Sequence, residues 1–301
     1  AADVHRMLDR ARAADVIVKA SGVGVWDDLL EREVLLARRP EALAIFWDVD
    51  APATLERLRR NASDAFVSLV PRYDAILTYG GGPPVVRGYE SFGARLCVPI
   101  YNALDPDTHH PAPRDPRFFA DVSLLANRLP DREARVDEFF LRPARKLADL
   151  AFLLGGNGWD TAALPSNVRA IGHVYTADHN SFNASARAVL NVARDSMATC
   201  GYSPATRVFE AAGAGACLVT DAWEGIETFL EPGREVLVAN DGDEVARHVR
   251  ELTAERARAI GQAAYRRVLS EHTYARRARQ VEALLLQGVE ERHSASIEVS
   301  P

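Results

Sequence analysis

The chain consists of short apolar or β-branched runs, each followed by a stretch in which apolar residues have helical spacing. These runs fall at 15–19, 42–47, 75–79, 95–100, 122–126, 151–154, 168–172, 188–192, 216–220 and 235–238. Strands that alternate with helices form right-handed βαβ units, in which the strands lie parallel. The pattern therefore predicts an α/β fold with parallel sheets.

The segment between residues 101 and 116 divides the chain. Its sequence, YNALDPDTHHPAPRDP, is rich in proline and has no helix or strand periodicity, which is typical of a linker. We predict an N-terminal domain at 1–104, a second domain at 105–288 that ends in two helices separated near Ser270, and a loose polar tail at 289–301. The first domain has only four predicted strands, fewer than a Rossmann domain normally carries, so we expect it to be truncated at its N-terminus.

Composition narrows the possible functions. The 301 residues carry a formal charge of −6, which disfavours a nucleic-acid-binding protein because such proteins need a basic surface. No apolar run approaches the roughly 20 residues of a membrane span. The three cysteines lie far apart, which argues against a disulfide framework or a zinc site and fits a reducing compartment. We therefore predict a cytoplasmic protein with no transmembrane segment.

The segment 203–220 contains the most informative motif. Ser203 and the proline after it predict the start of a helix, which ends in glycines that include Gly213. In such a helix Ser203, Arg207 and Glu210 project from one face. The helix N-terminus and Arg207 suit a diphosphate, and Glu210 can accept hydrogen bonds from ribose hydroxyls. A surface ion pair between Arg207 and Glu210 is the alternative.

Several motifs resemble one glycosyltransferase family. The run SPATRVFEAAGAGACLVTDAWEGIETFLEPGREVLV and the upstream runs IFWDVDAPATLERL, LVPRYDAILTYGGGPP, VPIYNALDP and NRLPDREARV are similar to the CgeB-like (spore-maturation-type) glycosyltransferases and occur in the same order. The resemblance extends from about residue 14 to 285. It implies the GT-B architecture, in which two Rossmann-like domains face each other across a cleft, with the donor in the C-terminal domain and the acceptor in the N-terminal domain.

The resemblance also implies roles for single residues of the donor site. Glu210 matches the glutamate that holds the ribose, and Asn127 and Arg128 lie where related enzymes place a pyrophosphate-binding basic residue. His173 and Val174 match the loop that meets the base. The predicted donor site therefore contains Glu210, Arg207, Ser203, Tyr202, Arg128, Asn127, His173, Val174 and Gly213.

Tyr202 stands eight positions before Glu210. Retaining relatives often carry an acidic residue at that position, so the sequence assigns neither retention nor inversion of the sugar configuration.

Asp48 and Asp50 are the candidate catalytic residues. They follow a predicted strand of the N-terminal domain, and ligands gather at the carboxyl ends of parallel strands. One of them can act as a general base toward an acceptor hydroxyl. Turn formation and helix capping before Pro52 are the alternative.

The sequence predicts no metal site. His109 and His110 are adjacent within the proline-rich segment and lack the spacing of metal ligands. We expect both to be solvated.

These observations predict a metal-independent, hexosyltransferase-type enzyme that moves a sugar from a nucleoside-diphosphate sugar to an unidentified acceptor hydroxyl. No cofactor is expected beyond the donor substrate. Two alternatives stay open. One is a nucleotide-sugar epimerase of the same architecture, which would turn over without an acceptor, and the other is a catalytically silent nucleotide- or glycan-binding protein.

Overall fold

The described part of the protein contains ten parallel strands. The computed structural model describes residues 2–22, 24–160 and 162–298. The strands are β1 (Val16–Ala20), β2 (Leu43–Asp48), β3 (Ala75–Thr78), β4 (Cys97–Pro99), β5 (Ala120–Leu125), β6 (Phe152–Gly155), β7 (Val168–Gly172), β8 (Ala186–Asn191), β9 (Leu218–Asp221) and β10 (Leu237–Ala239). Their ends lie within two residues of the runs expected from the sequence, and the predicted α/β fold is confirmed.

Helices connect these strands. They are α1 (Ala2–Ala11), α2 (Asp27–Ala37), α3 (Ala51–Arg60), α4 (Gly82–Ser91), α5 (Pro130–Val136), α6 (Arg142–Lys146), α7 (Thr176–Ser185), α8 (Asp195–Cys200), α9 (Thr206–Gly213), α10 (Gly242–Glu251), α11 (Ala254–Glu271) and α12 (Tyr274–Glu298). A π-helical turn, Asp137–Leu141, joins α5 to α6. Among the described helices, none combines the length and the apolar character that a membrane span requires.

The chain forms two compact units. The first contains the residues up to Tyr101 together with those from Arg277 onward, and the second contains Asn102–Arg276. The first segment of the first unit ends at Tyr101, three residues before the end predicted for the domain at 1–104. The predicted second domain, 105–288, is too long at its C-terminal end, because most of α12 belongs to the first unit.

Most of the tail that was expected to be loose at 289–301 is helical, because α12 continues to Glu298. Its apolar residues Val281, Leu284 and Leu285 pack against the cluster that contains Ile45 and Leu77 in the first sheet. Burial of these side chains stabilises the helix. The last three residues of the predicted tail lie outside the described part.

The sheet of the first unit has the strand order β1-β2-β3-β4, and all its neighbouring strands are parallel. Phe46, Phe66 and Tyr73 pack together on one face, with ring centroids 4.5 to 6.2 Å apart. The loops that follow β1 and β2 meet at the carboxyl ends of these strands, where the Val49 N–H donates to the Ser21 hydroxyl oxygen at 2.8 Å.

The sheet of the second unit has the order β10-β9-β8-β5-β6-β7. The direction of winding reverses between β5 and β8, which pair through Val122 and Ala188. This is the strand order of a Rossmann fold, and ligands of such sheets bind beyond the carboxyl ends of the strands where the order reverses. The fold therefore points to the loops after β5 and β8.

Candidate functional site

A cavity of about 470 Å³ lies at this switch point. Its polar lining residues are Asn102, Asn127, Arg132, His173, His179, Asn191, Thr206, Arg207 and Glu210. The volume is that of a small-molecule site. Five residues of the predicted donor site share this cavity, namely Asn127, His173, Val174, Arg207 and Glu210.

Hydrogen bonds between the loops after β5 and β6 hold Asn127 at the cavity. The Asn157 N–H donates to Asn127 Oδ1 at 2.9 Å, and the Arg128 N–H donates to the Asn157 carbonyl oxygen at 2.9 Å. The two loops approach closely at Gly156, where φ is +119° and an added Cβ would lie 2.1 Å from the Ala126 oxygen. Only glycine fits this position, and Gly156 itself lines the cavity.

The arginine in the cavity is Arg132 rather than the expected Arg128. The Arg128 guanidinium pairs with Glu133 and lies 5.9 Å from the centroid of the Trp159 ring, and Arg128 does not line the cavity. Arg132 lies in the first turn of α5, and burial lowers the pKa of its guanidinium. Its Nε has no hydrogen-bond partner among the described residues. The two arginines are only four positions apart in the chain, so the resemblance alone did not separate them.

Helix α9 begins at Thr206, two residues after the first helical position expected at Pro204. Tyr202 has φ of +45°, in the left-handed region. The Ser203 hydroxyl donates to the Gly201 carbonyl oxygen at 2.9 Å and does not cap the helix. Ser203 and Tyr202 therefore lie outside the cavity lining, and Ala205 and Thr206 bring the helix N-terminus to the cavity.

Gly213 has a packing position instead of a place in the cavity. It lies at the C-terminal end of α9, and an added Cβ would lie 2.3 Å from Leu104 Cδ1 and 3.1 Å from the His109 carbonyl oxygen. The absence of a side chain lets the segment after residue 103 pack directly against α9.

Arg207 and Glu210 reach the cavity from α9. Desolvation by burial lowers the pKa of the Arg207 guanidinium, while Glu210 opposes this shift and Arg132 adds to it. The Arg207 Nε lacks a hydrogen-bond partner in the described part of the chain. The Glu210 side chain is 16% exposed. This face of the helix offers an unused cationic donor and an accessible carboxylate to the same ligand.

The loop after β7 contributes His173 and Val174. His173 is exposed, and its ring meets the Tyr175 ring edge-on with centroids 4.6 Å apart. Val174 is buried, and its carbonyl oxygen lies 3.3 Å from His179 Nε2 on α7.

His109 and His179 flank Glu210, an arrangement that the sequence did not predict. One ring nitrogen of each histidine and one Glu210 carboxylate oxygen lie within 4.8 Å of one another. His109 is 8% exposed, so the expectation of a solvated histidine was wrong. Imidazole nitrogens and carboxylate oxygens are ligands that Zn²⁺ uses in proteins. The three residues come from distant parts of the sequence, and no local spacing indicates that they lie close together.

The first unit has a cavity of about 420 Å³ at the carboxyl ends of β1 and β2. Asp48 is fully buried there. Its Oδ1 accepts hydrogen bonds from the Ser21 hydroxyl at 2.8 Å and the Asp50 N–H at 3.1 Å, and its Oδ2 accepts one from the Tyr89 hydroxyl. Asp50 is exposed and lines the cavity. The geometry favours a structural role for Asp48 and leaves Asp50 accessible to a ligand.

Comparison with protein families identifies one that covers most of the second unit. The model of a family described as glycosyl transferase-like matches residues 132–283, half of the chain. This match includes α5 from Arg132 onward, the loops after β6, β7 and β8, and all of α9. No curated protein matches the chain.

Solved structures share the fold at low sequence identity. Anabaena Alr3699/HepE in complex with UDP and glucose is 14% identical, with a TM-score of 0.71 over 95% of this chain and 81% of that chain. Sucrose-phosphate synthase from Thermosynechococcus elongatus is 12% identical, with a TM-score of 0.69 over 95% and 76%. The α,α-trehalose 6-phosphate synthase from Burkholderia multivorans is 11% identical, with a TM-score of 0.61 over 98% and 78%. These likenesses establish the fold.

Proposed function

Because the chain belongs to the glycosyl transferase-like family, we propose that it transfers a sugar from a nucleoside-diphosphate sugar to an acceptor hydroxyl. The donor binds in the cavity of the second unit. The CgeB-like motifs support assignment to that subfamily, and a cytoplasmic location stays a prediction from the cysteine content.

Two arginine donors without a partner carry this proposal. Arg132 and Arg207 both line the cavity, and the Nε of each is buried with no hydrogen-bond partner within the described residues. A buried donor left unsatisfied costs about 1–3 kcal/mol, and more when charged, so such a group needs an explanation. The N-terminus of α9 reaches the same cavity and carries a partial positive charge. Together these groups fit a diphosphate.

Glu210 holds the ribose of the donor. It lies nearly one turn beyond Arg207 on α9, and its carboxylate can accept hydrogen bonds from two vicinal hydroxyls. His173 and the backbone of Val174 border the space for the base. HepE is described in complex with UDP and glucose, which makes UDP the first nucleotide to test.

The reaction breaks the bond between the anomeric carbon and the diphosphate oxygen, and negative charge develops on the departing diphosphate. Arg132, Arg207 and the α9 N-terminus offset this charge, so transfer needs no metal ion. In the first unit, Asp50 is the candidate to take the proton of the acceptor hydroxyl. Asp48 orients the loop that carries Asp50.

Titration calorimetry with UDP, dTDP and GDP tests the donor site. We expect one nucleotide to bind, and we expect Glu210→Gln and Arg132→Ala each to weaken binding by about tenfold or more, equivalent to about 1.4 kcal/mol. Two matched controls lie outside the cavity: Arg128→Ala, and Glu227→Gln at an exposed position of the same unit. Each control should change the Kd by less than about twofold.

Turnover of the corresponding nucleotide sugar separates an enzyme from a silent binding protein. Acceptor-dependent release of nucleotide supports transfer, whereas a change of sugar configuration without an acceptor supports the epimerase. The donor site as proposed is wrong if the folded chain binds none of the nucleotides, or if Arg128→Ala weakens binding as much as Arg132→Ala.

A further inference from the structure

Two helices and a turn fix two histidines beside Glu210. The turn that carries His109 is tied to α7, because the His110 N–H donates to Asn180 Oδ1 at 3.2 Å and Asn180 Nδ2 donates to the Thr108 carbonyl oxygen at 3.0 Å. The same turn packs on α9 at Gly213, where an added Cβ would lie 3.1 Å from the His109 carbonyl oxygen. The position of His109 is therefore set by both helices.

Each of the two histidines has one buried ring nitrogen without a hydrogen-bond partner among the described residues. His179 Nε2 lies 3.3 Å from the Val174 carbonyl oxygen. A carbonyl only accepts hydrogen bonds, so Nε2 carries the proton and Nδ1 carries the lone pair. His179 Nδ1 and His109 Nε2 are both buried without a hydrogen-bond partner in the ranges that the structure describes. Metal-binding histidines commonly donate their second N–H to a backbone carbonyl in this way.

The spacing of the cluster is close to that of a metal site. One nitrogen of each histidine and one Glu210 oxygen lie within 4.8 Å of one another, and His109 Nε2 lies 3.9 Å from Glu210 Oε1. Four-coordinate Zn²⁺ with bonds of about 2.0–2.1 Å places its ligand atoms about 3.4 Å from one another. Side-chain rotations that move these atoms by about 1 Å therefore bring them to the spacing of a zinc site. We propose that His109, His179 and Glu210 bind a divalent transition-metal ion such as Zn²⁺, and that this ion excludes the nucleotide from the cavity.

The exclusion follows from the shared carboxylate. The metal site stands on the side-chain cluster alone, whereas its competition with the nucleotide rests on the proposed function. Glu210 cannot serve the ion and the ribose hydroxyls at once. The ion is therefore an inhibitor of a reaction that does not need it.

Calorimetric titration of the metal-free chain with Zn²⁺, in the absence of nucleotide, tests the metal site. We expect one ion per chain, with binding weakened at least about tenfold in His109→Ala and in His179→Ala. His110→Ala, at the exposed neighbouring residue, is the matched control and should bind as the wild type does. His179→Gln and circular dichroism of each variant separate loss of a ligand from loss of folding. No binding by the wild type, or binding by both alanine variants that is as tight as that of the wild type, overturns the site.

A titration with UDP, with and without saturating Zn²⁺, tests the exclusion. We expect Zn²⁺ to raise the apparent Kd for UDP at least about tenfold in the wild type. In His109→Ala, the same addition of Zn²⁺ should change the apparent Kd for UDP only through the Zn²⁺ that free UDP chelates. An equal effect on both proteins, or tighter UDP binding with Zn²⁺, overturns the exclusion. UDP binding without Zn²⁺ tests the proposed function separately.

Discussion

Replacement of Arg135 by alanine should destabilise the second unit strongly, because it leaves a buried carboxylate without its cation. Asp221, at the end of β9, is fully buried. Its Oδ2 accepts hydrogen bonds from Arg135 Nη2 at 2.6 Å and Nε at 3.2 Å, and both oxygens lie 3.1 Å from the donating Ala193 N–H. Desolvation raises the pKa of Asp221, and Arg135 opposes this shift.

The expected cost is about 3 kcal/mol, at the lower end of the range for breaking a buried ion pair. The lower end applies because the Arg135 side chain is 20% exposed, so water reaches the space that its truncation leaves. A loss of this size changes the folding equilibrium constant by about 150-fold. Without Arg135 the pKa of Asp221 rises further. The folded state then binds the proton more tightly than the unfolded state, so the deficit is largest at neutral pH and shrinks as pH falls through the raised pKa.

Denaturant unfolding of the wild type and Arg135→Ala, followed at pH 7.5 and pH 5.5, measures this loss. Arg145→Ala is the matched control, because Arg145 pairs with Asp137 at 2.8 Å on the surface and both side chains are more than half exposed. Its cost should stay below about 1 kcal/mol at either pH. The reasoning is refuted if Arg135→Ala costs no more than Arg145→Ala, or if its deficit grows on acidification.

Three further outcomes follow from single contacts. Gly156→Ala should lower the free energy of unfolding by about 2 kcal/mol or more and weaken nucleotide binding, because φ is +119° and the new Cβ would lie 2.1 Å from the Ala126 oxygen. Thermal melting measures the first effect and calorimetry the second. An unchanged melting temperature contradicts the close approach. Trp159→Phe should cost about 1–2 kcal/mol, since the indole Nε1 donates to the same Ala126 oxygen at 2.7 Å; denaturant unfolding checks this value. Burial raises the pKa of Cys97 and of Cys217 to about 12, so a thiol reagent at pH 8 should modify both only after unfolding. Cys200 is only partly buried, so the modified positions must be mapped, and rapid labelling of Cys97 or Cys217 in the folded chain would contradict their burial.

The fold could be predicted from the sequence because its signals are local. All ten strands were expected within two residues of their ends, since strands of a parallel sheet are buried on both faces and therefore read as continuous apolar runs. Membership of a glycosyltransferase family, which the family model shows, was likewise predicted from motifs that are contiguous in the chain. Arg207 and Glu210 could be predicted to line the same cavity because three positions along a helix place two side chains on neighbouring parts of its surface.

Local signals failed where backbone conformation or side-chain direction depends on other segments. Ser203 has the residue type of a helix cap, yet its hydroxyl bonds to Gly201 and the helix starts at Thr206. Arg128 occupies the position expected of a diphosphate ligand, but Glu133 and the Trp159 ring hold it outside the cavity, and Arg132 lines the cavity in its place.

The sequence by itself determined the α/β class, the parallel strands and the helix that carries Arg207 and Glu210, because each depends on spacing over fewer than about 20 residues. Only the tertiary structure decided which groups meet across long separations. The packing of α12 on the first sheet joins the last residues to the first unit. In the same way, the packing of the His109 turn against α7 and α9 brings two histidines to one carboxylate. Such contacts depend on the burial of whole surfaces, which no single stretch of sequence specifies.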